Sequence, residues 1–494
     1  MPDDHPRSLY ESAHQAMGRR DFTSAVASLE RLLPLPACDA AAWRLYGFAL
    51  RELQRMADAI AAFRRAAALD PMDGLAAVAV AETMVQSGLP ALEEARRAFD
   101  LSGGSDSQRL LTLASALVAE GRREDACDLV AARVRAEPGW LEGQHRLAEM
   151  RWVGGDAEHF ADEYAAGVVA EPRNLRLRLG WFRFLCQAKR WGAARRVLSD
   201  AEQVFGPQQV LLIAKCYVAA ESGADAEAES LFELTKDLRD NVRDLAWIRH
   251  CLRQRRAEAA EETALRLVST SAANLVWPYL SLVWRMRQDP RALWLDGSPP
   301  FVRALDVDLA QGEREELAAL LRSLHTNQAP YVEQSVRGGT QTERPLFFRT
   351  EPIITTVKER LTKAVRDYID GLPAAVEGHP LLGSPRKEIL YAGSWSVRLQ
   401  RQGFNVAHTH PMGWLSSAFY VALPAKEQMG AAPAGWIRFG EPPPELGLDI
   451  SAYAEVEPRE GRLVLFPSTM WHSTVPFEAG ERLVLAFDVR RPGA

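Results

Sequence analysis

The residues best able to do chemistry in this chain are three histidines and an arginine near its C-terminal end. His408 and His410 stand two residues apart in the run G-F-N-V-A-H-T-H-P that begins at Gly403. A strand sends residues i and i+2 to one face, so both imidazoles are expected to point the same way. His472 follows about sixty residues later, after a second strand-like run, Arg462 to Phe466. Arg482 comes ten residues after His472, beside the apolar run Leu483 to Phe487. Neutral imidazoles are good ligands for iron. A guanidinium presents a planar fork that matches a carboxylate with two hydrogen bonds. The four residues together predict a metal site with an anion pocket beside it.

The elements that must position these groups are short and β-rich. Ser394 to Gln400 alternates, with Trp395, Val397 and Leu399 on one face and Ser394, Ser396, Arg398 and Gln400 on the other. Leu415 to Leu423, Gly435 to Phe439, Arg462 to Phe466 and Leu483 to Val489 are further β-rich runs, punctuated by Pro and Gly. Many short strands with turn signals predict a sandwich or barrel. Two amphipathic helices, Val307 to His325 and Ile354 to Leu372, would pack on the outside of a jelly roll. Trp395, Phe404, Trp414, Phe419 and Trp471 lie near the histidines in sequence, and core packing is the expected role of most of them.

The N-terminal half has a different texture. Trp43, Tyr46, Gly47 and Leu50, followed by Ala59, Phe63, Ala66 and Pro71, fit the first and second helices of the 34-residue tetratricopeptide pattern. Ala114, Leu117, Ala126, Val130 and Pro138 repeat the offsets, and Pro172 lies 34 residues after Pro138 with Ala148 and Tyr164 in register between them. Small residues at the Gly47 and Ala59 positions let two helices approach closely, while Leu50 and Phe63 fill the gaps. One helix pair cannot bury its own apolar face, so neighbours must stack. About seven to eight pairs are expected by residue 270. The resemblance to tetratricopeptide repeats implies a groove for a peptide or protein segment, and a purely structural arm is the competing reading.

Asp289-Pro290 and Gly297-Ser298-Pro299-Pro300 break the helical pattern, which divides the chain into three expected segments. Residues 1–290 are expected to form the repeat solenoid, 291–345 a helical connector and 346–494 the barrel domain. Within the connector, Gln334 to Thr342 is a polar stretch with a Gly338-Gly339 pair. It reads as a surface loop, with anion cradling by backbone N–H groups as the alternative.

The motif H-x-H, then G-x-L-x-x-F-P-x-x-x-x-H-x-x-x-P, then Glu481-Arg482, resembles 2-oxoglutarate/Fe(II)-dependent oxygenases. It is closest to a bacterial branch in which such a domain follows tetratricopeptide repeats. The resemblance implies a multidomain α + β chain: an all-α repeat superhelix, then a double-stranded β-helix (jelly roll) with flanking helices. It implies His408 and His472 as iron ligands and Arg482 as the holder of the remote carboxylate of 2-oxoglutarate. Ser417 or Tyr420 would supply an assisting hydroxyl, and Arg398 is a second candidate for holding a carboxylate. The usual triad is two histidines and one carboxylate. Here His410 stands at the carboxylate position, either as a third ligand or as a group behind the ligands. The implied cofactors are Fe(II), 2-oxoglutarate and O₂, the implied reaction is hydroxylation of a peptide or protein side chain, and no catalytic residue is implied beyond the metal site.

Two other readings share these residues. Three histidines on a jelly roll also resemble metal cupins that use no cosubstrate, although a Glu soon after H-x-H is usual there and Arg482 would have no role. A non-catalytic scaffold or sensor with an inert or metal-binding barrel is the other. Composition narrows the partners. A formal charge of −6 gives no electrostatic footprint for nucleic acid. No run of eighteen apolar residues calls for a membrane span, and the opening Met-Pro-Asp-Asp-His lacks the layout of a secretory signal. Five well-separated cysteines, all by position 251, suit a reducing cytoplasm better than a disulfide framework.

Overall fold

Helix follows helix from Pro6 to Leu267, sixteen in all among the described residues, arranged as eight successive pairs. The computed structural model describes residues 5–36, 38–386 and 389–492. Met1 to Asp4, on which part of the reading of the leader rests, lie outside them. The pairing has the cause the repeat pattern implies. A Cβ on Gly47 would sit 2.5 Å from the Phe63 ring, so only glycine lets the second helix of that pair close on the first. Phe63, Leu50, Ala59 and Ala66 are all buried at that contact. Several helices begin at an Asp or Asn whose side chain accepts from the first-turn N–H groups, as Asp39, Asp73 and Asn174 do.

Internal contacts divide the chain into two compact units that cut across the segments read from sequence. The first comprises residues 1–133 with 344–358, and the second comprises 134–343 with 359–494. In the second unit, repeat helices and β domain share packing. The Trp471 indole donates to Pro278 O at 3.0 Å, Asn274 donates to Pro411 O at 3.0 Å, and Lys189 pairs with Glu445 at 2.7 Å.

Among the described residues the β domain has nine strands: β1 Arg303–Asp306, β2 Val336–Gln341, β3 Tyr391–Asn405, β4 Gly413–Ala422, β5 Ile437–Phe439, β6 Ala454–Val456, β7 Arg462–Pro467, β8 His472–Thr474 and β9 Glu481–Arg490. They form a six-stranded sheet, β1-β7-β4-β9-β3-β2, and a three-stranded sheet, β6-β5-β8, antiparallel throughout, as in a jelly roll. Between the sheets lies a core that includes Tyr420, Phe439, Val464, Phe466 and Val484.

Two of these strands fall inside the segment expected to be a helical connector. Residues 303–306 pair with β7. The polar Gly338-Gly339 stretch is an edge strand on β3, with its register shifted between Arg337 and Gly339. The glycines are the reason. Gly338 has φ +69°, and a Cβ on Gly339 would lie 2.2 Å from Arg398 O, so the backbone approaches closer than any side chain permits. Polar composition reads as a loop, but pairing needs only backbone groups.

Candidate metal and anion site

His408 and His472 belong to segments that meet as a two-residue antiparallel bridge. Each N–H donates to the other's carbonyl at 3.1 Å, and the rings lie with centroids 4.1 Å apart. His410 N–H donates to Ser468 O at 2.9 Å, which brings the third ring to 5.0 Å from His408 and 5.1 Å from His472. One candidate ligand atom from each of the three histidines lies within 4.8 Å of the others.

The outer nitrogen of each ring is already engaged. Nδ1 of His408 lies 2.8 Å from Val406 O, and Nδ1 of His472 lies 3.1 Å from Met470 O. Nδ1 of His410 lies 2.9 Å from a carboxylate oxygen of Asp488. Acceptors at all three Nδ1 positions fix the tautomer that leaves Nε2 with its lone pair, the form that binds a metal. Electrostatics agrees. Burial, then the neighbouring His410, pushes the His408 pKa down to about 3, and burial with both neighbours holds His472 well below its ordinary value. Neutral imidazoles at His408 and His472, with the His410 ring beside them, fit a divalent cation.

Asp488 is the residue that sequence reasoning missed. It is buried, and its other oxygen accepts from the Ser416 hydroxyl at 2.6 Å, which in turn lies 2.9 Å from Ser468 Oγ. A buried carboxylate therefore stands directly behind His410. Trp395 stacks on that ring at 5.4 Å with 15° between the planes. Nothing local marks Asp488, which lies 78 residues beyond His410; only the periodicity of β9 placed it on an inward face. Replacing it by Asn keeps an acceptor but removes the charge. Iron or manganese affinity, measured by competition with a chelator dye, is expected to fall roughly ten- to 100-fold in Asp488→Asn. Unchanged affinity would leave Asp488 without this role.

Arg482 lies deeper in the barrel. It is 2% exposed, and its Nε and Nη1 have no hydrogen-bond partner. Its contacts are with Tyr420: Nη2 reaches the phenol at 3.4 Å, and the guanidinium carbon lies 5.1 Å from the ring centroid. Burial raises the Tyr420 pKa, partly offset by Arg482, so the phenol keeps its proton. A buried cation with two free donors is costly unless an anion joins it. Along β9, Arg482, Val484, Ala486 and Asp488 share one face, so the guanidinium and the carboxylate behind His410 stand on one row about 20 Å apart at their Cα atoms.

Two expected cosubstrate contacts lie elsewhere. Ser417 is three residues from Tyr420 and faces the opposite side of β4, where its hydroxyl donates to Phe487 O and accepts from Phe487 N–H, both at 2.9 Å. Arg398 of β3 pairs with Leu483 of β9 rather than with Arg482, so it too lies on the outer face, with Nε bonded to Glu481 at 2.6 Å. The period-2 alternation explains both corrections. Of the aromatic residues near the histidines, Trp395 and Trp471 line a cavity of about 820 Å³ that also reaches His408, His410 and Asp488. Trp414 and Phe419 are buried packing groups.

The comparisons with known proteins bear on this geometry. Residues 393–488 match the family model whose description is "Putative 2OG-Fe(II) oxygenase". The chain has a tetratricopeptide plus 2OG-Fe(II) oxygenase-like architecture. Among solved structures it is similar over 35% of its length to the MamA protein, at 13% identity, 94% of that chain and a TM-score of 0.31. It is similar over 52% to a tetratricopeptide repeat protein from Parabacteroides merdae, at 14% identity, 98% of that chain and a TM-score of 0.31. YrrB, a TPR protein described as having an unusual peptide-binding site, is similar over 35%, at 17% identity, 90% of that chain and a TM-score of 0.29. No curated protein matches the chain. No described helix is long and apolar enough to cross a membrane.

Proposed function

We propose that the C-terminal domain is an Fe(II)- and 2-oxoglutarate-dependent oxygenase that hydroxylates a peptide or protein side chain brought to it by the repeats. The observation that carries this reading is the buried Arg482, with two donors free, in the same barrel as three imidazoles whose candidate ligand atoms lie within 4.8 Å of one another. A cupin reading explains the histidines and leaves the arginine unpaired.

In this reading His408, His410 and His472 hold the iron through Nε2, and Asp488 orients His410 and supplies negative charge behind it. Arg482, with the Tyr420 hydroxyl beside it, takes the remote carboxylate of 2-oxoglutarate. Phe466, 4.6 Å from His472, and the apolar core around it keep water from the interior. When bound, iron with 2-oxoglutarate and O₂ supplies the oxidation: one oxygen atom ends in succinate as CO₂ leaves, and the other ends in a hydroxyl on the substrate. Trp395 and Trp471 frame the opening at which the substrate carbon is presented. The same reading includes a cytoplasmic location, where iron and 2-oxoglutarate are at hand.

The test is turnover. Full-length protein given Fe(II), 2-oxoglutarate and O₂ in a peptide digest of its host's lysate is expected to release succinate and to add 16 daltons to a restricted set of peptides. Absence of both, with iron bound, would leave a non-catalytic binding protein.

A further inference from the structure

The cavity over the histidines is walled on one side by the repeats. Helices Leu175–Gln187, Gln209–Glu221 and Asn241–Arg253 contribute Gln187, Tyr217, Glu221 and Arg249 to it, and residues 332–337 and the barrel mouth complete it. Most charges along its lining are matched. Arg249 holds Glu221 through two bonds of 2.8 Å, and Lys189 holds Glu445 at 2.7 Å. Asp488 is taken by His410, and Glu333, exposed at the rim, accepts from Gln187.

Arg337 differs. Among the described residues lining the cavity, it is the cation with no carboxylate partner. Its Nη1 alone is engaged, by Gln334 O at 2.9 Å and Val336 O at 2.8 Å, so Nε and Nη2 remain available. Two residues before it, Ser335 Oγ lies 3.2 Å from His408 Nε2. Ser335 and Arg337 both line the cavity that reaches His408 and His410, and they stand about 7 Å apart along the chain. The register shift at Gly338, directly after Arg337, breaks the ladder at this point, the kind of irregularity that re-aims a side chain beside a site.

We propose that Arg337 is a specificity-determining residue that binds a carboxylate on the substrate, so that the preferred substrates are acidic peptides. The proposal rests on the oxygenase reading for its geometry, since the peptide's reacting carbon must lie at the metal, but its test needs no turnover. A charge-assisted bond of this kind contributes about 1.5–3 kcal/mol, a preference of roughly ten- to 150-fold.

The probe is a pool of acetylated, amidated hexapeptides in which every Asp- or Glu-containing member has an Asn or Gln counterpart. Full-length protein is loaded with Fe(II) and 2-oxoglutarate without O₂, and bound peptides are recovered by ultrafiltration and weighed by mass spectrometry. Acidic members are expected to be retained at least about tenfold over their amide counterparts by the wild type. Arg337→Gln should abolish this preference and Arg337→Lys should restore part of it, while the visible band of the iron–2-oxoglutarate complex persists in both. Equal retention of acids and amides by the wild type, or a preference that survives Arg337→Gln, would overturn the proposal. Competition by free succinate or aspartate as effective as that of acidic peptides would overturn the peptide source and assign Arg337 to a small acid. A missing band in the wild type would instead count against the oxygenase reading, so the two failures are distinguishable.

Discussion

His472→Ala is expected to lose iron and, with it, the visible absorption that appears when Fe(II) and 2-oxoglutarate are added in the absence of O₂. A four-ligand metal site worth about 10–16 kcal/mol implies roughly 3 kcal/mol per ligand, so retention should fall on the order of 100-fold. The loss should be specific to the metal. The bridge between His408 and His472 is made by main-chain groups, at 3.1 Å in each direction, and alanine keeps both bonds. Far-UV circular dichroism of the variant should therefore match the wild type. A wild-type titration curve in His472→Ala would remove this histidine from the ligand set.

Arg482→Met is expected to move binding and stability in opposite directions. In the unliganded protein the guanidinium is buried with Nε and Nη1 unpartnered, an arrangement that costs free energy and that an apolar side chain of similar length relieves. Thermal unfolding without ligand should shift upward, corresponding to about 1–4 kcal/mol. The affinity for 2-oxoglutarate should fall at least about 100-fold, since two charge-assisted bonds of 1.5–3 kcal/mol each are lost. Iron binding, which rests on the histidines, should persist. Such a site keeps a destabilising group because its ligand satisfies it. A drop in stability with unchanged 2-oxoglutarate affinity would show that Arg482 serves the fold and not an anion.

Much of the architecture was legible in the chain because it rests on local spacing. The tetratricopeptide offsets depend on contacts within a helix pair, and Gly47 against Phe63 is such a contact. The H-x-H spacing likewise keeps two imidazoles close within one short segment, although that segment lies between β3 and β4 and makes only a single bridge, from His408 to His472, in place of the expected strand. Other features depend on which strands become neighbours and in what register. Ser417 and Tyr420 could have been told apart by parity alone, since residues three apart on a strand face opposite sides. Which of them faced inward awaited the pairing of Tyr420 with Val484, on the face that also carries Arg482.

The sequence by itself determined that imidazoles and a guanidinium would gather in a β-rich domain that follows a helical repeat array, because periodicity and small-residue spacing act over a few residues. Only the tertiary structure decided that Asp488 backs His410, that the Gly338-Gly339 stretch is an edge strand, and that repeat helices wall the cavity over the histidines. Each of these joins segments tens to hundreds of residues apart. Strand register and helix docking are set by burial over the whole unit, and no local pattern of residues encodes them.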